Sequence, residues 1–375
     1  MSATGHSEPH SSAQKLETEK EKENRRKQDE IEEELFSNGI WAVVICVLSY
    51  TYGDMTVANS FPKDTRQNTW LLMLSPIPTF ILSLAYIAFV TWIGPKYMRD
   101  REPIKGLKTL MLLYNAFQVA LSGWIFLESG MSGWFGKYNF VCEPCDFSNK
   151  PRAIRMLNAA YWYYFSKFVD FIDTIFFVAH KKYAHISLLH VVHHATMPIS
   201  MWYGVRYHPG GHNTFAGFLN ALVHTVMYTY YLLAALGPIA KPFLWWKKYV
   251  TSMQMVQFVL MVLHSMTAMM VECPVPMPLI RWVGIMAVVF LVLFTDFYIK
   301  AYRKRDAQKK LNSAHDHSNG SLKPSQNGLC FPALNGEAGA TTLLAEALPP
   351  KELPKDIPRD MSVRSRVRGE AGESF

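Results

Sequence analysis

The chain has 375 residues, half of them hydrophobic, with 23 Phe, 18 Tyr, 10 Trp and 19 Met, and a formal net charge of +8. Its mean hydropathy of +0.03 hides an apolar middle between polar ends. That distribution excludes an evenly mixed soluble domain, and the basic charge calls for no nucleic-acid partner because loop topology accounts for it.

Residues 1–37 carry the mixed-charge run "KLETEKEKENRRKQDEIEEEL", which reads as a solvated extension compatible with a charged helix over 15–36. The run "IWAVVICVLSY" at 40–50 is too short for a membrane span and suits an interfacial position. It is also no standard signal peptide, since more than thirty mostly polar residues precede it. Apolar segments long enough to cross a bilayer follow at 70–94, 107–129, 155–179, 186–205, 215–237, 247–270 and 278–300. The predicted fold is therefore all-α and polytopic, with seven transmembrane helices. Residues 1–63 form an N-terminal extension, 64–304 the membrane domain and 305–375 a disordered tail.

Lys and Arg cluster on alternate connections, in "PKYMRDREPIKGLK" (95–108), "HKKYAH" (180–185), "KPFLWWKK" (241–248) and "KAYRKRDAQKK" (300–310). All four fall on one face, which the positive-inside rule makes cytosolic, with the C-terminus there as well. The resulting basic rim suits a phosphorylated substrate. On the other face, Cys142 and Cys145 share a loop and Cys273 sits in another, so an oxidising lumen would allow one of the pair to bridge to Cys273. Cys46 lies in the short apolar run and Cys330 in the tail, leaving no cysteine in the cytosolic half of the bundle.

Ionisable residues inside spans must face the bundle interior or a watery cavity. Lys167, Asp170, Asp173 and Thr174 share one helical face, with Lys167 and Asp170 placed to pair at i,i+3. Such a stripe can cancel its own desolvation, orient a histidine or grip a polar substrate group. His190, His193 and His194 in "LLHVVHHATMP" follow at i, i+3 and i+4. Asn220, His224, Tyr228 and Tyr231 form a third stripe, and Thr251, Gln254 and Gln257 a fourth. One stripe is ordinary interhelical glue; four on successive helices imply a shared interior site. His264, alone on an apolar face, reads as a core histidine.

H-x-x-H-H is ambiguous in isolation. Iron-dependent membrane desaturases and hydroxylases, the main competing reading, build their metal sites from about eight imidazoles supplied by several boxes. Of the 13 histidines here, His6, His10, His315 and His317 lie in the tails, and His208 and His212 fall on the opposite membrane face. His180, His185 and His224 have irregular spacings, and there is no H-E-x-x-H motif of the kind that holds zinc. Nucleophilic or acid/base imidazoles fit better, so neither a metal nor another cofactor is expected. A transporter or receptor is permitted by helix count alone, yet leaves the clustered histidines without a role.

The ordered motifs "GPKYMRDREP", "YNAFQV", "KFVDFIDT", "LLHVVHHATMP", "NALVHTVMYTYY" and "LWWKKYVTSMQMVQF" resemble the membrane fatty-acid elongase (ELO) family over residues 64–304. The family pattern K-x-x-E-x-x-D-T is met except that Asp170 takes the glutamate place. The resemblance implies a condensing enzyme of the endoplasmic reticulum joining a long-chain acyl-CoA to malonyl-CoA, with release of CO2 and CoA. It implies six helices around a closed-ended acyl-chain tunnel, His193 as the acyl-bearing residue with His224 beside it, and a Cys142–Cys273 bridge. His190, His194 and His224 would hold the reactive tautomer, stabilise the oxyanion or contact the malonyl group. Asn220, Gln254 and Gln257 would bind the thioester region, with Lys167, Asp170, Asp173 and Tyr228 completing the polar wall. Lys181, Lys182, Lys247 and Lys248 would meet CoA phosphates. Expected partners are membrane lipid, the two substrates, the ketoacyl-CoA reductase, hydroxyacyl-CoA dehydratase and enoyl-CoA reductase of the cycle, and a second copy in a homodimer. Many relatives end in a lysine-rich retrieval signal, which the terminal "GEAGESF" does not provide.

Overall fold

The computed structural model describes residues 9–319, with side chains over 19–300 apart from Lys20. The C-terminal residues 320–375, including Cys330, and the side chains of His6, His10, His315 and His317 lie outside the described residues. Helices α1 (Pro9–Tyr52), α2 (Ile77–Ala88), α3 (Gly94–Met98) and α4 (Lys108–Ser129) open the chain. They are followed by α5 (Pro151–Val169), α6 (Phe171–Ala179), α7 (Leu188–Tyr207), α8 (Phe215–Ala235), α9 (Lys247–Met270) and α10 (Met277–Asn319). Single π-helical turns extend α1, join α2 to α3 and extend α4.

Among the described residues six helices are long and apolar enough to cross a membrane: 21–58, 77–98, 108–134, 211–235, 247–270 and 277–300. The protein is thus an all-helical, multi-pass membrane protein, but the set differs from the seven spans expected. The segment at 40–50 is not a short separate piece: it belongs to α1, one of the six helices long and apolar enough to cross, which packs against α7 and α2 in the main core through Leu35, Ala42 and Cys46. Conversely, the expected span 155–179 is two helices interrupted at Asp170. It and α7 fall short on composition because charged and imidazole side chains occupy their inward faces. At the other boundary, α10 continues as one helix to Asn319, past the domain limit expected at 304.

The two ends of the bundle are fixed differently. At the basic end, Arg99 pairs with Asp29 and Glu32 on α1, and Lys181 Nζ donates to the Arg99 carbonyl at 2.9 Å. Lys181 itself takes a left-handed φ of 55° directly after α6. At the opposite end Cys142 and Cys273 form a disulfide with Cα atoms 5.5 Å apart. There the 59–76 segment is pinned to the end of α7: Arg206 donates to the Asp64 carbonyl (2.8 Å) and Asn68 (2.7 Å), and Gln67 to the Val205 carbonyl (2.6 Å). These bonds satisfy backbone groups that a membrane interior would leave unpaired.

Candidate active site

The histidine box begins where α7 begins. Ser187 caps the helix, its hydroxyl accepting from the His190 amide at 3.3 Å, so the three imidazoles sit in the first two turns beneath the basic end. His190 and His194 rings are 4.3 Å apart and His193 and His194 rings 5.2 Å apart. His224, on α8, lies within electrostatic reach of His193, His194, Lys167 and Asp170. The structure therefore brings together all four histidines expected at the site. His194 and His224 are buried, whereas His190 and His193 remain partly open. One edge of His193 faces the ring of Phe290 on α10 at 5.1 Å.

The stripe on α5 and α6 meets this cluster with an unexpected division of labour. Lys167 and Asp170, each 2 % exposed, pair at 3.0 Å. Gln118 on α4 donates to Asp170 at 2.7 Å, and the Tyr228 hydroxyl lies 3.2 Å from Asp170 and 2.7 Å from Asp173. Neither carboxylate hydrogen-bonds an imidazole. The hydroxyl of Thr174 does so instead, 2.8 Å from His190 Nε2, and is itself hydrogen-bonded to Tyr86 at 3.0 Å. Burying Lys167 is offset by its carboxylate, by the Asn220 amide oxygen at 3.5 Å and by the Tyr163 ring face at 4.6 Å.

Asn220 connects the helices: its oxygen accepts from the Tyr163 hydroxyl at 3.0 Å and its nitrogen donates to Gln257 at 3.3 Å. Gln254 stands apart from this network, with its amide on Met227 Sδ at 3.3 Å. Above the site, Lys182 and Lys247 act electrostatically on His185, placing the α6–α7 turn beside the start of α9. Lys248 is exposed over the Tyr249 ring at 4.9 Å, and Lys181 is held by Arg99. Below it, Tyr163 is shared with a mostly apolar cavity enclosing about 640 Å³ of space between atoms, mouth included. Ile125, Met201, Phe218, Leu279, Trp282 and His208 are among its walls. Among the described residues, no three His, Cys, Asp or Glu side chains are grouped as ligands for a metal ion.

Gln118, Tyr86, Tyr163 and Phe290 were not singled out in the sequence. Gln118 stands inside "YNAFQV", a motif that carried no assigned role, while the other three are single aromatic residues in aromatic-rich spans and leave no periodic signal.

Fold and site together define a multi-pass helical membrane protein with a buried cluster of histidines and polar side chains between a basic rim and an apolar cavity. More particularly, the chain belongs to the ELO family: the GNS1/SUR4 family model matches residues 71–310. It is 47 % identical to very long chain fatty acid elongase 7 of Drosophila melanogaster over 278 residues, 74 % of this chain and 84 % of the relative. Rat elongase 7 is 46 % identical over 244 residues, 64 % of this chain and 86 % of that one. Human elongase 5 is 36 % identical over 296 residues, 79 % of this chain and 94 % of that one.

Proposed function

We propose that the protein is a very-long-chain 3-oxoacyl-CoA synthase of the endoplasmic reticulum membrane, its basic end and C-terminus cytosolic. It condenses a long-chain acyl-CoA with malonyl-CoA. The observation that carries this reading is the position of His193, partly open within a four-histidine cluster, with lysines above and the apolar cavity below. That order matches a substrate with a phosphorylated head, a thioester and a hydrocarbon tail. The cavity serves as the acyl-chain tunnel.

The unprotonated His193 nitrogen attacks the thioester carbonyl, forming a C–N bond while the C–S bond breaks. The proton released from the imidazolium passes to the departing thiolate, giving CoA and an acyl-imidazole. Malonyl-CoA then loses CO2, and the resulting enolate attacks the acyl carbon. Its C–C bond forms as the C–N bond breaks, and the departing imidazolate takes up from solvent the one proton that the overall condensation consumes. His190, held by Thr174, and His194 and His224 orient His193 or donate to the developing oxyanion. Asn220, Gln257 and Tyr163 form the polar collar around the thioester, and Lys182, Lys247 and Lys248 attract the phosphates. Lys167, Asp170, Asp173 and Tyr228 hold the collar's shape. No metal or other cofactor takes part. The product passes to the reductase and dehydratase activities of the elongation cycle.

The test is intact-mass analysis of purified protein exposed to acyl-CoA alone. The wild type gains one acyl group, and His193→Ala gains none and releases no CO2 from labelled malonyl-CoA. Full turnover by the alanine variant would overturn the covalent route.

A further inference from the structure

The apolar cavity runs away from the histidine cluster along two helices. On α7 its wall extends from Ser200 to Pro209, beyond His194, and on α8 from Phe218 back to Asn213, before His224. A second, smaller cavity of about 230 Å³, mouth included, adjoins that end, and Asn213, Ala216 and Val283 line both. His212, Phe215, His264 and Ser265 belong to the smaller one alone. Phe215, at the start of α8, is nine positions before His224, which at a helical rise of about 1.5 Å per residue is about 13 Å along the axis.

This second space is unlike the first in its chemistry. His212 is 2 % exposed, and its Nε2 lies 2.9 Å from the His264 carbonyl. A carbonyl only accepts, so in the neutral ring Nε2 carries the proton and Nδ1 the lone pair. That Nδ1 is buried with no hydrogen-bond partner, and so are Nε2 of His264 and Nδ1 of His208, a wall residue where the two cavities adjoin. The arrangement is rigid: the His212 and His264 rings stack 3.7 Å apart and 11° from parallel, with the Phe215 ring 4.0 Å from His264. Asn213 gives one amide hydrogen to the His208 carbonyl at 3.2 Å and keeps a second.

We propose that the small cavity is a subsite for the end of the acyl chain, and that it takes the terminal hydroxyl of an ω-hydroxyacyl-CoA. The hydroxyl donates to His212 Nδ1 and accepts from Asn213, pairing groups that a methyl end leaves unpaired. The proposal rests on the elongase reading and names a substrate class for it. A terminal hydroxyl that stops short, among Ile125, Met201 and Phe218, finds no such partner and is penalised. Discrimination against the hydroxyl therefore depends on chain length.

The experiment uses purified full-length protein, labelled malonyl-CoA, and matched pairs of ω-hydroxy and unsubstituted acyl-CoAs of graded length. The reading is the kcat/KM ratio within each pair, in which any loss of folded protein cancels. In the wild type the ratio should be about one-tenth or less for short chains and rise to about one or above at the longest lengths accepted. His212→Gln keeps a donor for the His264 carbonyl and removes the Nδ1 acceptor, so the ratio at those lengths should fall about tenfold. His264→Phe keeps the stacked ring without its nitrogens and decides the matter where the glutamine variant does not accumulate, with the same fall expected. A ratio that stays low at every length, or a rise that His212→Gln leaves intact, overturns the subsite while elongation of unsubstituted chains leaves the enzymatic reading standing. A wild type that consumes no malonyl-CoA with either series overturns the elongase reading itself.

Discussion

Thr174 offers the sharpest test of how the site is held, because one hydroxyl links two otherwise separate parts. Its Oγ1 is 2.8 Å from His190 Nε2 and 3.0 Å from the Tyr86 hydroxyl, and the side chain is fully buried. Thr174→Val keeps nearly the same shape and removes both bonds. Each buried polar group left unpaired costs about 1–3 kcal/mol. If about 1–2 kcal/mol of that falls on the productive orientation of His190, turnover drops about 5- to 30-fold. Because Thr174 touches neither the basic rim nor the cavity wall, the loss should appear in kcat, with KM for acyl-CoA within about twofold. Purified protein, labelled malonyl-CoA and a saturating acyl-CoA give both constants, and a thermal melt gives the accompanying loss of stability. Thr174→Ser keeps the hydroxyl and should recover most of the rate. A valine variant with wild-type kcat, or a serine variant as slow as the valine one, would refute the linkage.

Other perturbations separate structural from chemical roles. Lys167→Met strands the Asp170 carboxylate in the interior and should destabilise the protein by about 3–5 kcal/mol, whereas Lys167→Met/Asp170→Asn should recover much of that loss in a thermal melt. The bridge between Cys142 and Cys273 closes a separation of 131 residues, for which chain entropy gives a stabilisation of at most about 5 kcal/mol. Cys142→Ser, Cys273→Ser and the double variant should therefore lower the melting temperature by equal amounts, and unequal losses would mean that the thiols act separately. In the α6–α7 turn, burial first, then Lys182 and Lys247, push His185 down to about 4 from its usual 6.5. The unfolded chain takes up a proton that the folded chain refuses, so the stability present above pH 6.5 is lost as pH falls toward 4. His185→Gln should flatten the melting curve across that window while matching the wild type above pH 7; parallel curves would refute the assignment.

Much of the site could be read from spacing, because helical periodicity is preserved whatever the neighbours do. His190, His193 and His194, and separately Asn220 and His224, had to share faces, and those faces do converge. What periodicity does not carry is the rotation and depth of one helix against another. The stripe of Lys167, Asp170, Asp173 and Thr174 was suited as a whole to orient a histidine; it is Thr174 that meets His190, while the carboxylate oxygens meet Lys167, Gln118 and Tyr228. Gln118 and Asp170 are 52 residues apart, and no local pattern announces such a bond.

Segment length failed for a related reason: hydropathy counts polar atoms without asking where they point. The apolar run ends at Tyr50, yet the hydroxyls of Ser49, Thr51 and Thr56 around that end each donate to a carbonyl three or four residues earlier on the same helix. Satisfied in this way, they add little polarity to the helix surface, and α1 can extend across the bundle. The same counting lowers the hydropathy of α5 and α7, whose Lys167 and imidazoles point into the interior, while α6, cut off at Asp170, has only nine residues. The segments that look least suited to lipid therefore carry the histidine cluster, and the one that looked too short packs against α7 in the main core. In a multi-pass helical protein, a failed span criterion beside ordered polar stripes is itself a pointer to the site.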